Sequence, residues 1–98
     1  MTIWHKSKMT TLYHSADDSS ENFDCIVEIN DQKISVDYIE AEGPPRRYFG
    51  HELSEGHFSL GCPEIAGKAS LHRFKESEIL EGSWTEGGHR GMWKIRLA

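Results

Sequence analysis

Six histidines, sixteen acidic side chains and one Arg-Arg pair are the groups of this 98-residue chain that could do chemistry. The histidines are His5, His14, His51, His57, His72 and His89. None belongs to an HExxH or a His-x-His pair, the local spacings that put two imidazoles on one metal. Ligands would have to converge from separate strands. His51 and His57 flank a turn, and a hairpin would bring them near each other. Otherwise these residues read as surface or hydrogen-bonded imidazoles.

Most carboxylates, among them Asp17, Asp18, Glu40, Glu42, Glu55, Glu76 and Glu78, fall where turns are expected, and solvated charge belongs there. A general acid needs a desolvated site that raises its pKa. Glu86 is placed for that. It follows Trp84 by two residues, shares its strand face and is expected to point inward at a barrel mouth. Glu81 falls on the opposite face. Arg46 and Arg47 are adjacent on a strand, so one must point to each side of the sheet. An inward arginine needs a partner, because an unpaired buried charge is costly. Glu86, His72 or Tyr38 would give it one and make a polar pocket floor.

Other reaction classes leave no trace. There is no Gly-x-Ser-x-Gly elbow, no GxxxxGK[ST] phosphate loop and no GxGxxG. Gly87-Gly88-His89-Arg90-Gly91 carries a cation and backbone N–H groups that could cradle an anion. It lies between two strand patterns, and a hairpin turn explains it better. Cys25 and Cys62 sit in strand-like runs without a CxxC, so they read as two buried thiols, with a single disulfide as the other arrangement. No cofactor is expected, and an enzyme is the least favoured class.

The elements that must position these residues are strands. Phe23, Cys25, Val27 and Ile29 alternate with polar neighbours, as do Ile34, Val36 and Tyr38. Asn30–Lys33 joins the two runs into a hairpin. Gly43-Pro44-Pro45 interrupts regular structure. Arg46–Leu53 is a further strand, with Tyr48 on the face of Arg46 and with Phe49, His51 and Leu53 on the other. Phe58, Leu60 and Cys62 share a face. Pro63–Gly67 reads as a loop, the nearest candidate for a helical turn is Pro63–Ala69, and Ala69 and Leu71 oppose Ser70 and His72. Ile3–Tyr13 is strand-like with poor alternation, and Ser15–Asn22 is a polar loop. Leu80, Gly82 and Trp84 share a face before the Gly87-Gly88 turn; Trp93, Ile95 and Leu97 share one after it. About eight short strands at roughly ten-residue spacing predict a single all-β domain over residues 1–98. Short connections favour an antiparallel up-and-down meander barrel, with a β-sandwich as the alternative.

The formal net charge of -5 argues against a general nucleic-acid binder and against an anionic membrane surface. The start of the chain is polar, and no apolar run approaches the ~18 residues of a membrane span. The composition predicts a soluble cytoplasmic protein.

The run Ala69-x-Leu71-His72-x-Phe74, followed by Leu80-x-Gly82-x-Trp84-x-Glu86-x-Gly88-x-x-Gly91-x-Trp93-x-Ile95-x-Leu97, resembles the last strands of calycin-like barrels, the superfamily of lipocalins and avidins. The resemblance covers about the last third of the chain. It implies a meander barrel and carries over no ligand.

Together these readings predict a small β-barrel that binds a small, partly apolar ligand at its mouth. Tyr38, Phe58, Leu71, Trp84 and Trp93 would form the walls. Arg46, His72 and Glu86 would supply polar contacts. The alternative is an interaction module that acts through its outer surface or as a homodimer.

Overall fold

A computed structural model describes residues 1–14, 20–39 and 43–98. Eight strands follow one another: β1 (Thr2–Tyr13), β2 (Ser20–Asn30), β3 (Lys33–Ile39), β4 (Pro45–Ser54), β5 (His57–Cys62), β6 (Gly67–His72), β7 (Ile79–Glu86) and β8 (His89–Arg96). A 3₁₀ turn, Pro63–Ile65, joins β5 to β6. Each strand pairs antiparallel with the next, and β8 returns to β1. The sheet is therefore a closed up-and-down barrel, and the sandwich alternative falls away. Ser20–Asn22, expected in a loop, are strand residues paired with Leu12–Thr10. Asp17, Asp18, Glu40 and Glu42 lie outside the described residues.

Closure follows from alternation. An inward face of Phe23, Cys25 and Val27 on β2 continues through Ile34, Val36 and Tyr38 on β3, and Trp93 and Ile95 on β8, all buried. Their polar neighbours face out. A strand with one apolar face buries it best where the sheet wraps on itself, and closure also satisfies every edge. The β1–β8 seam runs from Lys8↔Arg96 to Tyr13↔Gly91. Two backbone bonds of 2.8 Å extend it, from Lys6 N to Ala98 O and from His14 N to Arg90 O.

The poor alternation of β1 has a local cause. Its pairing with β2 shifts register between Trp4 and Ser7. The shift resets which residues point inward, so Ser7, Met9 and Thr11 are buried. Ser7 is fully buried and satisfied: its hydroxyl donates to Trp4 O at 3.3 Å and accepts from Ala98 N at 3.2 Å.

In an up-and-down barrel alternate connections share an end. The 3₁₀ turn and the β7–β8 turn thus lie together at the mouth, opposite the β2–β3 and β4–β5 turns. The far end is closed by Arg73, whose guanidinium stacks 5.1 Å from the ring centre of Trp4 and donates from Nε to Ser77 O at 2.8 Å.

Candidate functional site

Strand alternation separates the two arginines as expected. Arg47 points outward and donates from Nε to Asp37 Oδ1 at 2.7 Å and from a terminal nitrogen to Asp37 Oδ2 at 3.2 Å. Arg46 stands opposite Tyr38 in the β3–β4 register and lines the mouth. Its side chain is 21% exposed. Its one ion-pair neighbour among the described residues is Glu64, on the 3₁₀ turn, with 4.0 Å between the nearest nitrogen and oxygen. Arg46 Nε is buried and makes no hydrogen bond. Buried charged donors are nearly always paired, so an open N–H here is the exception that asks for a partner.

Around this guanidinium is an open concavity of about 760 Å³. Phe23, Cys25, Tyr38, Cys62 and Pro63 contribute apolar and aromatic wall, and Asp24, Asp37 and Arg47 border it as well. Binding sites for small molecules have this makeup, mostly apolar lining with a few placed polar groups.

Below the mouth the barrel is filled by aromatic rings. Phe23 lies 5.6 Å from Tyr38, and Tyr38 lies 5.9 Å edge-on from Trp93. Tyr48 meets Trp93 edge-on at 4.8 Å, Trp93 lies 6.4 Å from Trp84, and Tyr13 meets Trp84 edge-on at 5.4 Å. The void left among Thr11, Tyr13, Trp84, Glu86 and Trp93 is only about 10 Å³. It borders Trp84, whose indole Nε1 is buried without a hydrogen-bond partner. Such a space is roughly that of one water, so the interior is a core and not a chamber.

Glu86 faces inward, as its spacing from Trp84 predicts, and is half-buried. Its partner is Tyr48 and not Arg46. The Tyr48 hydroxyl donates to Glu86 Oε2 at 2.5 Å. Burial, and then the hydrogen bond to Glu86, hold the phenol well above its usual pKa, so it stays a donor throughout the ordinary pH range. Gly67, opposite Glu86 in the β6–β7 register, makes room for this contact. A Cβ there would lie 2.2 Å from the Tyr48 hydroxyl oxygen.

No family model, no curated protein and no solved structure matches this chain.

The residues read from the sequence as one site separate into three groups. Arg46 and Tyr38 line the mouth, and Trp84, Trp93 and Glu86 line the small void beneath it. Phe58 and Leu71 are buried opposite each other on β5 and β6, away from the mouth concavity. His72, expected in the pocket floor, stands on the outer face, because Leu71 takes the inward position beside it. His51 and His57 do not meet: His51 is opposite Ser59, and His57 is opposite His72. Cys25 and Cys62 are free thiols, both buried. Burial pushes the Cys25 thiol up to about 12, with the Asp24 charge adding to it. Among the described residues no three His, Cys, Asp or Glu side chains are grouped to hold a metal ion. Among the described residues no helix is long and apolar enough to cross a membrane.

Glu64, Phe23 and Tyr48 belong to the site, although their places in the sequence did not assign them to it. Tyr48 had a usable signal, since it shares the face of Arg46 two residues away. Glu64 had none, because only the path of the 3₁₀ turn brings it back over the mouth.

Proposed function

We propose that this chain is a small-molecule-binding barrel that takes a partly apolar anion at its mouth. The observation that carries this reading is the buried, unpartnered Nε of Arg46 in the wall of an otherwise largely apolar concavity. A carboxylate or a sulfonate would accept from that N–H and from a neighbouring guanidinium nitrogen, in the fork geometry such groups favour. The apolar part of the ligand would lie against Phe23, Tyr38 and Pro63. The aromatic column beneath supports the floor and keeps the ligand at the rim, since the core leaves no room below. The up-and-down eight-strand closure is compatible with a calycin-like assignment, in which the mouth is the binding end. The Arg46–Glu64 contact is long and one-sided, and Glu64 is largely exposed. A ligand anion can therefore displace Glu64 at little cost.

Titration with anilinonaphthalene sulfonate, a fluorescent amphipathic anion, tests this. We expect saturable one-to-one binding to the wild type. Arg46→Gln should weaken it at least about tenfold, the loss of one charge-assisted contact of about 1.4 kcal/mol. Arg96→Gln, on the outer face of β8 and outside the concavity, should leave it unchanged. Binding that Arg46→Gln does not weaken, or no saturable binding at all, overturns the reading.

A further inference from the structure

On the outer wall, away from the mouth, two imidazoles stand face to edge. His57 on β5 and His72 on β6 are direct cross-strand partners. Their Nδ1 atoms are 2.8 Å apart, their ring centres 4.9 Å, and their planes cross at 77°. Both side chains are exposed. With one proton between the two nitrogens, one ring donates and the other accepts. The next position in the same row is Glu81, opposite His72 on β7. Glu81 and Glu55 both border the surface concavity of about 370 Å³ that the two histidines line.

We propose that His57 and His72 form a two-imidazole site for a divalent transition-metal cation of tetragonal preference, Cu²⁺ foremost. The spacing carries the choice of metal. Two nitrogens each about 2.0–2.1 Å from an ion lie about 2.9 Å apart at a right angle, and about 3.4 Å apart at a tetrahedral angle. The observed 2.8 Å, held here by the N–H···N bond, leaves the two nitrogens near the spacing of adjacent corners of a square. Cu²⁺ and Ni²⁺ take that geometry with nitrogen ligands, and Cu²⁺ binds most tightly in the divalent series. Zn²⁺, which prefers tetrahedral sites, would need the two nitrogens about 3.4 Å apart. The cation replaces the proton between the rings. That proton moves to Nε2 of its own ring, so both imidazoles stay neutral and each presents a bare Nδ1 to the metal. The remaining corners go to water or to the Glu81 and Glu55 carboxylates, which bring compensating charge. Because two paired strands hold both rings, the second nitrogen binds with little further ordering.

The test uses the whole protein and CuCl₂ alone, by calorimetry and electron paramagnetic resonance. We expect one tight Cu²⁺ per chain, weaker Ni²⁺, and Zn²⁺ weaker still. The Cu²⁺ spectrum should carry couplings to two imidazole nitrogens. His57→Asn and His72→Asn should each weaken binding about a hundredfold, since each removes one arm of the chelate. His5→Asn and His89→Asn should leave it unchanged. Both tested histidines are exposed, so the variants should fold, and circular dichroism checks this. The wild-type spectrum tests the site without any variant. A spectrum with one nitrogen, Cu²⁺ binding that His57→Asn leaves intact, or Zn²⁺ preferred over Cu²⁺ overturns the proposal.

Discussion

Tyr48 links two parts of the barrel that lie far apart in the sequence. Its hydroxyl is the donor to Glu86, and its ring packs edge-on against Trp93. Tyr48→Phe keeps the packing and removes the donor. Half-buried Glu86 would then lose its partner, and we expect a loss of about 1.5–3 kcal/mol in urea denaturation at neutral pH. Gly67→Ala places a methyl group against the same hydroxyl and should cost about 1–3 kcal/mol. The two effects must couple, since both act on one oxygen. The double variant should lose measurably less than the sum of the single losses. Cys25 sets a pH dependence. Its thiol is pushed from 9.0 up to about 12, so the folded state keeps this proton after the unfolded chain has released it. The stability this contributes is complete below pH 9 and falls as the pH rises toward 12. Tyr48, also raised, acts in the same direction. Urea midpoints should be lower at pH 10.5 than at pH 8, and Cys25→Ala should narrow that difference.

At the scale of the element, most of the fold was legible in the sequence, because alternation is a local signal. Phe23, Cys25 and Val27, Ile34, Val36 and Tyr38, and Trp93 and Ile95 were placed on common faces by spacing alone. β1 was not read cleanly, since its register shift between Trp4 and Ser7 breaks the period that alternation depends on. The start of β2 was missed because Ser20, Glu21 and Asn22 are all polar. Only pairing with β1 makes them a strand. The site was less legible than the fold. Spacing puts Arg46 and Arg47 on opposite faces and Glu86 on the face of Trp84, but the partners Glu64 and Tyr48 depend on where distant elements come to lie. His72 was drawn inward by its neighbours' chemistry, although its own parity with Leu71 puts it outside. The β7–β8 turn gives a test at this scale. Gly87 and Gly88 have φ of 51° and 94°, the two positive values of a type I′ turn closed by Glu86↔His89. Nothing lies within 4 Å of a Cβ built on Gly87. Asn is at home at that first position and restricts the unfolded chain more than glycine does. Gly87→Asn should raise stability by about 0.4–1 kcal/mol in thermal unfolding.

Over the whole molecule the controlling feature is closure. Thr10 sits between Asn22 on β2 and Lys94 on β8. Whichever side its N–H faces, a neighbouring strand is there to accept it. Proline at this position removes a ladder bond that no edge can spare. Thr10→Pro should cost about 3 kcal/mol or more, or prevent folding, as read by circular dichroism and urea denaturation.

The ring also has a consequence in time. Seven of its eight pairings join consecutive strands through connections of fewer than about twenty residues, and loop closure for these is cheap. The eighth, β1 to β8, cannot form until the ends of the chain's path have met, and it returns most of its bonds only then. The largest loop-closure cost in the fold therefore falls on one pairing, that of Lys8–Tyr13 with Gly91–Arg96.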